Sequence, residues 1–121
     1  RTVQEVKQVD CIFCKIANKE IPSTIVYEDD DVLAFRDLNP EAPVHVLVIP
    51  KKHIESLNAA TEEDQKLLGK LMLTIRKIAI DLGIADEGYR VVNNCGVQGG
   101  QTVMHLHFHL MGGREMLWPA G

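Results

Sequence analysis

No apolar run in this sequence approaches the ~18 residues that a membrane-spanning helix requires, so nothing in it is expected to cross a bilayer. Positive charge is also in short supply. Thirteen Lys and Arg stand against 17 Asp and Glu, for a net charge of −4 and a pI near 5.7. That balance argues against a partner gripped by its phosphate backbone, so no nucleic acid is expected. A small anionic substrate stays open, because one pocket can differ in sign from the whole surface. The first ten residues are polar and mixed in charge, without the apolar segment of a secretory signal. Arg1 is not an initiator methionine, so a trimmed or processed chain is expected, and an organellar address stays open if a targeting segment was removed. Three cysteines are odd in number and, without a secretory cue, do not suggest a disulfide framework. Cys11-x-x-Cys14 points to free thiols or a metal site, and Cys95 to a lone thiol. A reducing, cytoplasmic setting follows. No linker, repeat or low-complexity tract marks a second domain. With 121 residues and 45% hydrophobic content, a single domain over 11–121 has the apolar material for a core, preceded by a flexible arm over 1–10.

What the sequence does hold is concentrated near its end. Three of the five histidines fall within Met104-His105-Leu106-His107-Phe108-His109-Leu110-Met111. Histidines alternating with large apolar residues follow the period of a half-buried strand, which puts His105, His107 and His109 on one face and Leu106, Phe108 and Leu110 on the other. A lone strand histidine is usually a surface group or a hydrogen-bonded core residue. Three on one face cost β-propensity and set like charges together below pH ~6.5. Metal capture and imidazole-based catalysis are the uses that compensate, because neutral imidazole is both ligand and nucleophile.

Upstream, Ile12, Phe13, Ile16 and Ala17 recur at helical spacing and predict a short helix over 11–18, closed by Ile21-Pro22. Strands are expected over 25–27 and 32–35, joined by the acidic turn 28–31, and over the nearly all-apolar run 44–49, which reads as a central strand. Thr61 is a suitable N-cap for a long helix, followed by Glu62, Glu63 and Asp64 at the positive end of its dipole. Leu67, Leu68, Leu71, Met72, Ile75, Ile78, Ala79 and Leu82 mark one apolar face, read as core, and Gly83 is placed to stop the helix. A fourth strand over 89–93 and a glycine-rich turn over 96–101 lead into the triad strand, 103–111. Short connections between neighbouring strands imply an antiparallel sheet, so the class is α+β.

The run His-Leu-His-Phe-His-Leu-Met resembles the histidine-triad signature, and the surrounding sequence is similar to its Hint branch, the purine nucleoside phosphoramidate hydrolases. Matching pieces include Cys11-Ile12-Phe13, Tyr27-Glu28-Asp29-Asp30, Phe35-Arg36-Asp37, Ala42-Pro43-Val44-His45, Val48-Ile49-Pro50-Lys51-Lys52-His53, Gly99-Gly100-Gln101-Thr102-Val103 and Trp118-Pro119. The likeness covers nearly everything after the first ten residues. It implies a five-stranded antiparallel sheet with one short and one long helix, paired into a homodimer. It also implies hydrolysis of purine nucleoside 5′-phosphoramidates and related acyl-nucleotides to the nucleoside monophosphate, through a covalent nucleotidyl-histidine.

By that resemblance His107 is the nucleophile, His109 contacts the phosphate, and His45 on a neighbouring strand is its companion. No metal is required for this chemistry. Asn94 is implied to contact the phosphate and Thr102 to hydrogen-bond the leaving-group nitrogen, where relatives often carry serine. Gly99-Gly100 reads alone as an ordinary tight turn; joined to Gln101, Thr102, Val103 and the triad it becomes a phosphate cradle. Asp37 reads alone as a turn cap, and by resemblance as the ligand of a ribose diol. Ile12, Phe13, Ile16, Phe35 and Leu38 would wall the purine with little discrimination between adenine and guanine. Trp118 resembles a residue that reaches the partner subunit's site, with a packed surface tryptophan as the alternative.

Cys11, Cys14, His53 and His105 form a Cys2His2 set that some bacterial-type relatives use for structural zinc. Zinc there and free thiols both stay open, and a zinc site would make His105 a ligand or supporting residue rather than a chemical participant. Dinucleoside polyphosphate hydrolysis is the nearest alternative activity; Thr102 and Trp118-Pro119 favour the phosphoramidate branch. A non-catalytic nucleotide-sensing or zinc-bound interaction module is the alternative of another class. The intact His107 counts against it.

Overall fold

The computed structural model describes residues 11–121; the arm expected over 1–10 lies outside the described residues. Chain order is α1 (Ile12–Ala17), β1 (Ile25–Glu28), β2 (Val32–Arg36), β3 (Val44–Pro50), α2 (Gln65–Asp81), β4 (Tyr89–Val92) and β5 (Phe108–Gly112). The strands form one antiparallel sheet in the order β1-β2-β3-β5-β4. The fold is therefore the expected α+β arrangement of five strands with a short and a long helix.

Strand β3 lies in the middle because both its faces are apolar. Val44, Val46 and Val48 face one side, where Leu71, Ile75, Ile78 and Ala79 of α2 pack with Val32, Ala34, Leu106, Phe108 and Leu110. Leu47 and Ile49 face the other, where Cys11, Phe13 and Ile16 of the α1 segment pack with Leu33 and Phe35. The long helix thus covers one face of the sheet and the short helix part of the other. Leu110 and Leu106 are almost wholly buried, so truncating either to alanine would cost about 2–5 kcal/mol.

Local signals set the ends of these elements. Asp29 Oδ1 accepts the N–H groups of Asp31 and Val32 at 2.8 and 2.9 Å, which turns the chain from β1 into β2. Thr61 N–H donates to the Asp64 carboxylate at 3.0 Å, opening a 3-10 turn, Glu62–Asp64, that runs directly into α2. Gly83, at φ +76°, takes the left-handed conformation that ends the helix.

Two expectations are corrected. Met72 is 43% exposed rather than core. The buried stripe runs through Leu71, Thr74, Ile75, Ile78 and Ala79, and Met72 lies one position, about 100°, round from Leu71. The triad segment is not one strand over 103–111: β5 begins only at Phe108. Residues before it direct their hydrogen bonds elsewhere. Leu106 N–H donates to the Ile54 carbonyl at 2.6 Å, and the His107 carbonyl accepts from the Asn93 side-chain amide at 2.9 Å. The alternation of faces survives, because Leu106, Phe108 and Leu110 all join the core under α2.

Candidate functional site

The histidines collect on the face of the sheet that α1 partly covers. His45 on β3 stands opposite Met111 of β5, and His109 on β5 stands opposite Leu47 of β3. The two histidines are diagonal neighbours, and His45 Nε2 lies 2.9 Å from His109 Nδ1. Glu41 main-chain N–H donates to His45 Nδ1 at 3.0 Å. A nitrogen that accepts carries no hydrogen, so neutral His45 holds its hydrogen on Nε2 and donates it to His109 Nδ1. His109 in turn keeps its hydrogen on Nε2, the nitrogen left to face a ligand. Burial, then the neighbouring His107 and His45, push the His109 pKa down to about 4, against a smaller opposing effect of Asp37. At neutral pH the ring is uncharged and donates.

His107 is buried, and its Nδ1 lies 2.7 Å from the His105 carbonyl. A carbonyl only accepts, so the neutral ring carries its hydrogen on Nδ1 and leaves a lone pair on Nε2. The Phe13 ring meets it edge-on with centroids 5.1 Å apart, and the His109 ring lies 5.2 Å away. An imidazole confined to one tautomer, with a neutral imidazole donor beside it, has the parts for attack on phosphorus and for stabilising the oxygens around it.

His105 sits two residues earlier with the opposite polarity. Its Nε2–H donates to the Pro50 carbonyl at 2.8 Å, and its Nδ1 lone pair faces Cys11 Sγ at 3.3 Å and Cys14 Sγ at 3.5 Å. His53 Nδ1 lies 3.1 Å from Cys14 Sγ. The four donor atoms of Cys11, Cys14, His53 and His105 all fall within 4.8 Å of one another. Two sulfurs and two imidazole nitrogens converging at this scale suit tetrahedral zinc, and the His105–Pro50 bond supplies the outer support that fixes a ligand's tautomer. Burial, followed by the hydrogen bond to Cys11, pushes the Cys14 thiol up to about 12. Burial also pushes His105 down to about 4. Both shifts favour the neutral forms of Cys14 and His105, so a thiolate at Cys14 calls for a cation beside it.

Asp37, His45 and His109 converge as well, but their hydrogens argue against a metal. The Glu41 N–H leaves the His45 hydrogen on the very nitrogen that a metal would need.

The residues expected to bind substrate fall into three groups. Phe13, Ile16 and Phe35 are buried together, with Phe13 and Phe35 in a T-shaped contact at 5.5 Å, while Ile12 is half-exposed and Leu38 is 92% exposed. Asp37 accepts the Asn39 N–H at 2.8 Å through Oδ1 and lies 3.4 Å from His45 Nε2 through Oδ2, so it does cap a turn. Asn94 is half-buried and Thr102 exposed. Gln101 uses its side chain internally, donating to the carbonyls of Glu55 (2.7 Å) and Val103 (2.9 Å) and accepting from Gly96 N–H (3.0 Å). Gly100 takes φ +80°, and a Cβ on Gly99 would run into the Cys95 main chain. Val103 packs against the α1 side of the core. Trp118 is 83% exposed in the single chain, next to Leu117, whose carbonyl accepts from Arg90 at 2.9 Å.

Sequence reasoning missed Asn93 and the main-chain groups of Glu41, Pro50 and His105. Main-chain donors and acceptors leave no residue signature, and Asn93 beside Asn94 gives no sign of which one turns inward.

A HIT-domain family model matches residues 18–116. An uncharacterised HIT-like protein of Synechococcus elongatus is 60% identical over 93% of this chain and 97% of its own length. A protein of Brassica juncea described as a 14 kDa zinc-binding protein is 54% identical over 93% of this chain and 100% of its own. The crystal structure of a HIT family hydrolase from Legionella pneumophila superposes with a TM-score of 0.91 at 50% identity, covering 93% of this chain and 100% of that one. On domain, relatives and fold alike, the chain belongs to the HIT family.

Proposed function

We propose that the protein hydrolyses purine nucleoside 5′-phosphoramidates and related acyl-nucleotides through a nucleotidyl-His107 intermediate. The observation that carries this reading is the His107 Nδ1–H bond to the His105 carbonyl at 2.7 Å, which leaves Nε2 as a lone-pair nucleophile. Nε2 attacks the α-phosphorus; the nitrogen–phosphorus bond to His107 forms as the bond to the leaving nitrogen breaks, and the departing amine takes up a proton. Water then attacks phosphorus, the His107–phosphorus bond breaks, and the nucleoside monophosphate leaves. His109 Nε2–H would donate to a non-bridging oxygen, with His45 holding it in that tautomer. Thr102 would donate to the leaving group, Asn94 and the main chain around Gly100 and Gln101 would cradle the phosphate, and Asp37 would hold the ribose diol. Phe13, Ile16 and Phe35 would floor the purine slot, with Ile12 and Leu38 as its exposed rim. The relative described as a hydrolase is consistent with this class of reaction.

Cys11, Cys14, His53 and His105 would hold zinc as a structural ion, tying the start of α1 to the sheet; a relative described as zinc-binding supports that choice of metal. Cysteines in this role suit a reducing compartment. A homodimer is supported by the apolar groups left exposed on two elements: Met72, Leu73 and Ile80 on α2, and Tyr89 and Val91 on the edge strand β4.

The test is intact mass spectrometry of wild type and His107→Asn after brief mixing with adenosine 5′-phosphoramidate, under a quench that spares phosphohistidine. An adenylyl mass on wild type alone, with hydrolysis in parallel, is the expected result. Neither adduct nor hydrolysis from wild type, or full activity in His107→Asn, overturns the reading.

A further inference from the structure

The loop that delivers the Glu41 N–H to His45 is clamped from outside. Arg114 Nε–H donates to the Glu41 carbonyl at 2.9 Å, and its Nη1–H donates to the Glu115 carbonyl at 2.9 Å. One guanidinium therefore bridges the loop between β2 and β3 and the segment leaving β5. The residue before it holds the same loop. Gly113, at φ +89°, lies so close to Pro43 that a Cβ would stand 2.9 Å from the proline Cβ. The segment 113–114 thus grips the loop at Glu41 and at Pro43, on either side of Ala42.

Glu41 matters because its N–H is what forbids a hydrogen on His45 Nδ1. If that donor withdraws, the Asp37 carboxylate, 3.4 Å from His45 Nε2, still favours the hydrogen there, but the balance shifts toward a hydrogen on Nδ1, and in that form Nε2 accepts. His109 Nδ1, 2.9 Å away, must then supply the hydrogen, and His109 Nε2 is left with a lone pair. One tautomer change at His45 turns the outer atom of His109 from donor to acceptor, the wrong polarity for a phosphate oxygen.

We propose that Arg114 is a positioning residue that, through Glu41 and His45, keeps His109 presenting Nε2–H to the nucleotide phosphate. This rests on the role given to His109 above. A planar guanidinium suits the task, because its donors are rigidly spaced and meet two carbonyls from different segments at once.

The experiment uses full-length, metal-loaded protein with 15N-labelled histidine, and reads imidazole tautomers from long-range 1H–15N spectra at neutral pH, without substrate. Wild type should show His45 and His109 both as Nε2–H. In Arg114→Gln the His45 and His109 signals should move toward a mixture of tautomers. Its kcat on adenosine 5′-phosphoramidate should fall about tenfold with KM within twofold, and Arg114→Lys should recover part of both. Tautomers and kcat unchanged in a folded Arg114→Gln overturn the proposal. If that variant does not fold, Arg114→Met, which keeps the aliphatic stem, is read in the same way. Altered tautomers in a protein whose wild type hydrolyses nothing would defeat the phosphoramidase reading while leaving the positioning role standing.

Discussion

His105 and His107 stand two residues apart, both buried, and each donates one ring N–H to a main-chain carbonyl. They do so through opposite nitrogens: His105 through Nε2 to Pro50, His107 through Nδ1 to its own neighbour, His105. The remaining lone pairs therefore look in different directions. That of His105 points at two sulfurs, a setting for a soft metal ion. That of His107 sits on Nε2, on a ring packed against those of Phe13 and His109, and is not used by the carbonyl that fixes the tautomer. One residue type in one short run thus turns its lone pair toward two sulfurs in one case and away from its fixing carbonyl in the other, according to which carbonyl each ring reaches. Residue identity alone does not assign the role.

Each side of that comparison can be broken separately. The largest effect is expected from His107→Asn, which should lower turnover at least ~10³-fold while leaving zinc content unchanged; metal analysis and steady-state kinetics on one preparation check it. Replacing Cys14 with serine should act on the other side, removing zinc and lowering the unfolding free energy by about 4 kcal/mol, while the folded fraction keeps turnover within about tenfold. Denaturant unfolding with and without a chelator measures this, and identical curves would remove the metal from the cluster. A third effect follows from His109. Its pKa of about 4 in the folded protein lies below the ordinary 6.5, so the unfolded chain takes up the proton first. Stability should therefore fall as pH drops from about 6.5 toward 4, on the order of 2 kcal/mol from this group. His109→Gln should flatten the slope of unfolding free energy across that window. Smallest is Asn93→Ala, which strips the side-chain donor from the His107 carbonyl; a loss of about 1 kcal/mol with unchanged zinc content is expected in thermal unfolding.

Much of the fold was legible because it is written in periodicity. The 3.6-residue stripe fixed the face of α2, Thr61 and Gly83 marked its approach and its end, and the two-sided apolar run of β3 marked the centre of the sheet. Met72 was misread because an apolar residue one step round a helix differs little in pattern from a core one. The start of β5 was misread for a different reason. Alternation reports which way side chains point, not whether the main chain has a neighbour, and residues before Phe108 alternate without pairing to one. Within the candidate site, residue type marked only the Cys11-x-x-Cys14 pair as a half-site; that His53 and His105 join it was implied by the resemblance, and the structure brings the four together although they are spread over most of the chain. The tautomers followed from neither. They depend on carbonyls and N–H groups of His105, Pro50 and Glu41, which every residue but proline possesses in full.

Strand β3 carries His45, Leu47 and Ile49 on one face and Val44, Val46 and Val48 on the other, with both faces buried. A slip of one residue against β2 or β5 would carry His45 beneath α2 and turn a valine toward His109. Such a misaligned sheet would bury an imidazole among isoleucines and leucines with no partner for its nitrogens, a penalty the correctly aligned sheet never meets. The histidine that hydrogen-bonds His109 is therefore also a proofreading mark, and a chain that has found its alignment has, by the same step, gathered its histidines.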